Sequence, residues 1–207
     1  MAIIKSLSDQ VYEYVFHQIQ VEKFKVGDKI DEAELIRELG ISRTPIREAL
    51  IQMTSDNLLE NVPRKGFFVK TVDEHESREG FEAIAVLDED AIALAIPRMN
   101  EEHVQRLSNA VDKMNLAISK LNYDMYYDWE QEFHTIYRDA CGNKVLAGII
   151  KELTRKFFRI GMYDKDKDEL VKYLEFVNND HEQVVKAIEK GDIKEAQRWL
   201  HLHWIEH

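Results

Sequence analysis

The sequence predicts a mainly α-helical protein in two parts: an N-terminal unit of three helices and two short strands, then an antiparallel all-α bundle of about six helices. Three observations carry that expectation. Apolar residues recur at helical spacing along most of the chain. Two short apolar or β-branched runs, residues 58–62 and 66–69, flank Pro63-Arg64-Lys65. Beyond Gly66 the only proline is Pro97, so little interrupts long helices there.

In chain order, residues 8–20 place Val11, Tyr12, Val15, Phe16 and Ile19 at helical spacing, giving a first helix that packs on the rest of its unit. Residues 23–29 read as a lysine-rich loop turning at Gly27-Asp28. Asp31 caps a second helix whose apolar stripe is Leu35, Ile36 and Leu39, and Gly40 supplies the turn that ends it. Ser42 is expected to cap a third helix by accepting a backbone N–H, with Pro45 inside the first turn, where its missing donor costs little. On that helix Ile46, Ala49 and Leu50 form the buried stripe, and Arg43, Thr44 and Arg47 fall on the other side. Guanidinium groups one turn apart at a helix N-terminus suit phosphate oxygens or the O6/N7 edge of guanine. An isolated pair would equally serve as a solvated surface, so the surroundings decide. A helix, a glycine turn and a second helix with an exposed basic start make a helix-turn-helix. The runs at 58–62 and 66–69 then make a two-stranded wing with a basic tip at Arg64-Lys65.

Residues 71–76 carry mixed charge and a single apolar residue, Val72, which places a linker between a domain at 1–70 and a second at 77–207. Helices of the second domain are expected at about 78–96, 100–120, 123–140, 144–163, 168–190 and 192–207. The fifth has a candidate break near Asn178, and residues 164–168 form a charged connector.

Composition narrows the function. The chain has 207 residues, 44% of them apolar, enough for a buried core. No apolar run approaches the roughly 18 residues of a membrane span, and the N-terminus lacks a signal-peptide core, so a soluble, cytoplasmic protein is expected. The single cysteine, Cys141, excludes an internal disulfide framework and reads as a small packing residue. A net charge of −11 argues against indiscriminate coating of nucleic acid. That charge is unevenly placed: residues 1–70 carry 10 Lys/Arg against 11 Asp/Glu, and within 42–70 the balance is 5 against 3. The basic excess coincides with the third helix and wing, so DNA binding should be salt-sensitive.

The bundle places metal-ligand residue types where core residues belong. On residues 126–137 the stripe Tyr126, Glu130, Phe133, His134 and Tyr137 sets a carboxylate and an imidazole one turn apart on an aromatic face. His181 heads the stripe Val184, Val185, Ile188, and Ala196, Leu200 and His203 share one line of the last helix. If the last two helices turn at Gly191-Asp192, His181 and His203 stand at the same height and face each other. His201 falls on the polar face with Lys194, Gln197 and Arg198 and is left out, as are Glu132 and His207. One core histidine alone is usually satisfied by a carbonyl. Three imidazoles and a carboxylate buried together without a cation would be costly to desolvate or forced into unusual protonation states. Their convergence points to a divalent ion: Zn first, with Ni, Mn or Fe if water or ligand oxygens complete the shell.

The run from Val26-Gly27 through Leu39-Gly40-Ile41-Ser42-Arg43-Thr44-Pro45-Ile46-Arg47-Glu48-Ala49-Leu50 to Arg64-Lys65-Gly66-Phe67-Phe68-Val69 resembles the winged helix-turn-helix of GntR-family bacterial transcription regulators. The resemblance implies operator contacts by Arg43, Thr44 and Arg47 and a wing placed in the minor groove by Lys65 and Gly66. The family's usual arginine in the preceding helix is Ala33 here, so a common base contact is absent. Glu-x-x-Phe-His at 130–134, Gly142-Asn143, His181 and the spacing from Gly191-Asp192 to His203 resemble the FCD ligand-binding domain of one branch of those regulators. That resemblance maps a metal set onto Glu130, His134, His181 and His203, with Glu130 in place of the usual Asp. It also maps the arginine that binds an organic acid onto Ile84; Arg155 and Arg159 offer themselves instead, or form a surface or salt-bridging pair. The family further implies a homodimer on double-stranded operator DNA, controlled by a small-molecule effector and most often repressing. Two other readings stay open: a metal-dependent enzyme with an attached DNA-binding domain, and a regulator that senses the metal directly.

Overall fold

The computed structural model describes residues 6–21, 23–70, 74–157 and 166–206, and these divide into two compact units, 6–70 and 74–206. In the first unit, α1 (Leu7–Gln20), β1 (Lys29–Ile30), α2 (Glu32–Leu39), α3 (Arg43–Ser55), β2 (Leu59–Val62) and β3 (Gly66–Val69) follow in order. Ser6 and Asp9 close a capping box on α1. Asp31 caps α2 by accepting from the N–H groups of Ala33 and Glu34. Gly40 ends α2 at φ 65°, a left-handed conformation that costs glycine nothing.

Two details differ from the sequence expectation. Ser42 occupies the N-cap of α3, but its side chain makes no capping hydrogen bond. Pro45 stands at the third helical position and has no N–H, so one of the two donors that such a side chain normally takes is missing. The sheet also has three strands, not two: β1 joins the wing in the antiparallel order β1-β3-β2, with Lys29 opposite Phe68 and Ile30 opposite Phe67. Two residues are too short to display an alternating pattern. Ile30 nonetheless buries its side chain in a core with Val15, Ile46, Leu50, Leu59 and Phe67.

The second unit contains α4 (Glu74–Ala95), a 3-10 turn at Ile96–Arg98, α5 (Glu101–Ser119), α6 (Tyr123–Ala140), α7 (Lys144–Lys156), α8 (Lys167–Glu189) and α9 (Ile193–Ile205). Residues 74–76 are thus helical, while 71–73 lie outside the described residues. The expected fourth helix is described as far as Lys156, and 158–165 also fall outside. Asp166 caps α8 through the N–H groups of Asp168 and Glu169, which puts Asp168 inside the helix. α8 runs unbroken through Asn178, whose amide donates to Asn115 Oδ1 at 2.8 Å instead of competing for its own backbone. α4 packs on α9, α6 and α7; α5 packs on α6 and α8; α8 packs on α9. Among the described residues no helix is long and apolar enough to cross a membrane.

Gly80 packs closely in this bundle: a Cβ there would fall inside the van der Waals envelope of the Phe157 ring. Alanine is favoured over glycine in a helix by about 1 kcal/mol, while overpacking typically costs ~1–3 kcal/mol. Gly80→Ala is therefore expected to lower the melting temperature; a rise would mean that the Phe157 ring yields freely.

Candidate functional site

Among the described residues, two places gather chemistry. The first is a cleft of about 380 Å³ between the start of α3, the start of α2 and the wing, lined by Lys29, Asp31, Glu32, Arg43, Arg47, Arg64 and Lys65, among others. The stripe Ile46, Ala49, Leu50 and Met53 buries one face of α3, leaving the Arg43 and Arg47 side chains 68% and 52% exposed. Glu32 Oε2 lies 3.9 Å from Arg43 Nε and 3.8 Å from Arg47 Nε. These are ion-pair distances beyond hydrogen bonding, which orient the guanidinium groups and add little stability. Ser42 leaves α3 without a side-chain cap, and an uncapped helix N-terminus flanked by two arginines suits an anion.

At the wing tip, Lys65 N–H donates to Val62 C=O at 3.0 Å. Arg64 takes φ 64° and Gly66 φ 105°. Proline at the second turn position and a positive φ at the third close this tight hairpin and carry Arg64 and Lys65 outward, both exposed. Lys29 was assigned to a loop by sequence; pairing of β1 with β3 brings its side chain alongside Gly66 and makes it a lining cation of the cleft.

The second place is a buried cluster in the bundle. His134 on α6, His181 on α8 and His203 on α9 are 1%, 0% and 5% exposed. Their ring centroids stand 5.4 Å (134 to 181), 5.1 Å (134 to 203) and 4.5 Å (181 to 203) apart. One nitrogen from each can be chosen so that all three lie within 4.8 Å of one another, and among the described residues this is the group of histidine, cysteine and carboxylate side chains able to hold a metal ion. The turn at Gly191, at φ 66°, sets the register that brings His181 and His203 together.

His134 Nδ1 shares a 2.7 Å hydrogen bond with Tyr137 Oη, and its Nε2 is a buried atom with no hydrogen-bond partner. Burial lowers the His134 pKa well below the ordinary value, with Arg138, His203 and His181 adding to the effect, so the ring is neutral. A neutral imidazole with an unsatisfied inward nitrogen is what a transition metal takes as ligand. The donor set therefore fits a divalent ion.

Asp88 of α4 belongs to this centre and was not singled out from sequence. It is fully buried and accepts from Arg138 Nε at 2.9 Å, Arg138 Nη2 at 2.6 Å, Tyr137 Oη at 2.7 Å and Trp204 Nε1 at 2.9 Å. Burial opposes the charge on Arg138, but Asp88 beside it holds the guanidinium charged. Burial, and then Asp88, push the Tyr137 hydroxyl well above its ordinary pKa, so it keeps its proton. In sequence Asp88 is one acid among many on a charged helix; the signal that could have found it is its place one turn after Ile84 on the buried stripe Ile84, Ala91, Ile92, Ala95.

The remaining expected residues are placed less centrally. Glu130 is half-buried one turn before His134, within reach of the Gln131 side chain at 3.4 Å, and it is not part of the three-histidine group. Arg155 is half-buried in the last turn of α7. Arg159 lies outside the described residues. His201 pairs with Glu89 at 2.7 Å on the exposed side of α9. Cys141 is buried and accepts from Asn143 N–H at 3.3 Å, a packing residue at the end of α6.

Comparison with known proteins bears on both places. The model of the FCD domain matches residues 79–206, and that of the bacterial regulatory proteins, gntR family, matches residues 7–69. The HTH-type transcriptional regulator YdhC of Bacillus subtilis is 25% identical over 198 residues, covering 94% of this chain and 86% of that protein. The HTH-type transcriptional repressor RspR of Escherichia coli is 20% identical over 197 residues, 95% of this chain and 85% of its own. The solved structure of E. coli McbR/YncC superposes with a TM-score of 0.84 at 22% identity, covering 98% of this chain and 95% of that one.

Removing one partner of a buried, hydrogen-bonded charge pair typically costs ~3–5 kcal/mol, because the other charge is left stranded. Asp88→Asn is expected to lose stability on that scale in urea unfolding, and Asp88→Leu combined with Arg138→Met to lose clearly less. Equal losses in the single and double variants would mean that the pair's charges do not govern this core.

Proposed function

The chain belongs to the GntR family of bacterial regulatory proteins and carries an FCD domain, and from its identity as a transcriptional regulator we propose how its two sites act. Arg43, Thr44 and Arg47 enter the major groove of double-stranded operator DNA, and Arg64, Lys65 and Gly66 follow the adjacent minor groove. Lys29, between them, meets a backbone phosphate. The observation that carries this reading is the α3 N-terminus, which has no side-chain cap and presents two exposed arginines to a cleft that the wing completes. Base edges supply specificity and phosphates supply affinity, so the arginines and the lysines divide the work. Binding as a homodimer would double the small basic excess of the third helix and wing and match a two-fold symmetric operator. Repression is the favoured outcome, as for the relative named a repressor, and a protein that reads the chromosome works in the cytoplasm.

In the bundle, His134, His181 and His203 hold a divalent ion, Zn by preference, with Glu130 as candidate fourth ligand. Support comes from the three buried rings and the unsatisfied Nε2 of His134. When bound, the ion supplies Lewis-acid attraction for an oxygen donor, and we place a small-molecule effector, an organic acid for instance, at or beside it. Because Ile84 is apolar and buried, the effector's carboxylate would be held by the ion, with Arg155 or Arg159 as further partners. Control then requires an effector affinity that differs between two arrangements of the DNA-binding units. Among the described residues of the bundle we recognise no catalytic motif that would supply a nucleophile and oxyanion donors, and we read the site as one for ligand binding.

Arg47→Ala is expected to cost about 1–3 kcal/mol of operator binding, measured by fluorescence anisotropy on a duplex selected from random DNA. Lys29→Ala should weaken that duplex and an unrelated one alike and flatten the salt dependence by about one slope unit. Unchanged operator affinity in Arg47→Ala would remove α3 from base reading. For the bundle, mass spectrometry of untagged protein should find about one divalent ion per chain, lost in both His134→Ala and His181→Ala; wild-type protein free of metal would return the histidines to a structural role.

A further inference from the structure

We infer that Tyr137, backed by Asp88, is a positioning residue that fixes His134 as its Nδ1–H tautomer and so presents Nε2 to the ion. The inference rests on the metal reading above and names the device that prepares one ligand for it. It follows from counting protons. Asp88 receives four hydrogen bonds: Arg138 Nε on Oδ1, and Arg138 Nη2, Trp204 Nε1 and Tyr137 Oη on Oδ2. A carboxylate that takes two hydrogen bonds from a guanidinium and one from an indole N–H presents its oxygens as acceptors. The one hydroxyl proton of Tyr137 must therefore point to Asp88. What remains on Tyr137 Oη toward His134 is a lone pair, and the 2.7 Å contact to Nδ1 is a hydrogen bond only if Nδ1 carries the proton. A neutral imidazole has one N–H, so the lone pair sits on Nε2, the buried atom with no hydrogen-bond partner.

Asp88 does not do this directly. Its Oδ2 is 3.8 Å from His134 Nδ1, too far for a hydrogen bond, and the tyrosine oxygen spans the gap. Tyr137 sits one turn after His134 on α6 and is itself completely buried. The same logic acts on His181 from another helix. Asn178 Nδ2 donates to the backbone carbonyl of Val111 at 3.4 Å and to Asn115 Oδ1 at 2.8 Å. A backbone carbonyl only accepts, so the amide orientation is settled and Oδ1 faces His181 Nδ1 at 3.1 Å. Both rings are thereby protonated on Nδ1, one through α4 and the other through α5. Partners of this kind behind a ligating histidine typically change metal affinity 10–100-fold.

The test uses Tyr137→Phe, which keeps the ring and removes the one oxygen. In the metal-free full chain, nitrogen-15 NMR of the histidine side chains should report His134 as Nδ1–H in the wild type and a mixture of tautomers in Tyr137→Phe. Zinc affinity by chelator competition should fall 10–100-fold in the variant. Wild-type zinc binding with unchanged affinity and unchanged tautomer in Tyr137→Phe would overturn the inference. If the wild type takes no zinc, the metal reading fails separately, and the metal-free spectra still decide what Tyr137 does to His134. Should Tyr137→Phe not fold, the wild-type spectrum alone suffices: His134 protonated on Nε2 would overturn the assignment.

Discussion

Much of the second unit depends on one constraint: a polar group taken out of water must find its partner inside. The bundle buries three imidazoles, a carboxylate, a guanidinium and a tyrosine hydroxyl in one core. Asp88 is the hub of that arrangement, joining α4 to Tyr137 and Arg138 on α6 and to Trp204 on α9. Such a network specifies which helices meet and at what height, because each bond is lost if a neighbour slips by a turn. A purely apolar core of the same volume would hold the helices at least as strongly. What the polar one adds is direction, since it leaves the imidazole of His134 neutral with one nitrogen aimed inward.

In the first unit, too, the informative feature is a bond left unmade. Asp31 satisfies the first N–H groups of α2, and Ser6 those of α1. Of the three helices described in this unit, α3 starts without a side-chain cap. Pro45 removes one of the N–H groups that Ser42 would otherwise take, and the uncapped helix start carries two exposed guanidinium groups a turn apart. The helix dipole and the charges then act in the same direction on an approaching phosphate. Glu32 offsets part of that charge from ion-pair distance to both arginines.

The fold was readable because its signals are local: a cap at Asp31, glycine turns at Gly40 and Gly191, and apolar stripes of unmistakable period. The pairing of His181 with His203 was readable for the same reason, since a tight turn fixes antiparallel register arithmetically. Asp88 was not, because its meaning lies in contacts with residues some fifty and more than a hundred positions away. Nor was β1, two residues long, which alone brings Lys29 to the cleft. Ser42 misled because a serine before a helix is ordinarily its cap, and the effect of Pro45 appears only when the first turn is counted. Spacing put Glu130 one turn before His134 but could not show their different burial: Glu130 is half-buried, and His134 is buried among aromatic rings.

The most direct test is anomalous diffraction at the zinc edge from crystals of the untagged protein grown with zinc. A single peak per chain enclosed by His134, His181 and His203, with Nε2 of His134 facing it, is the expected result. Crystals that bind zinc only at surface residues, with the three rings bonded to one another or to water, would contradict a metal centre in this bundle.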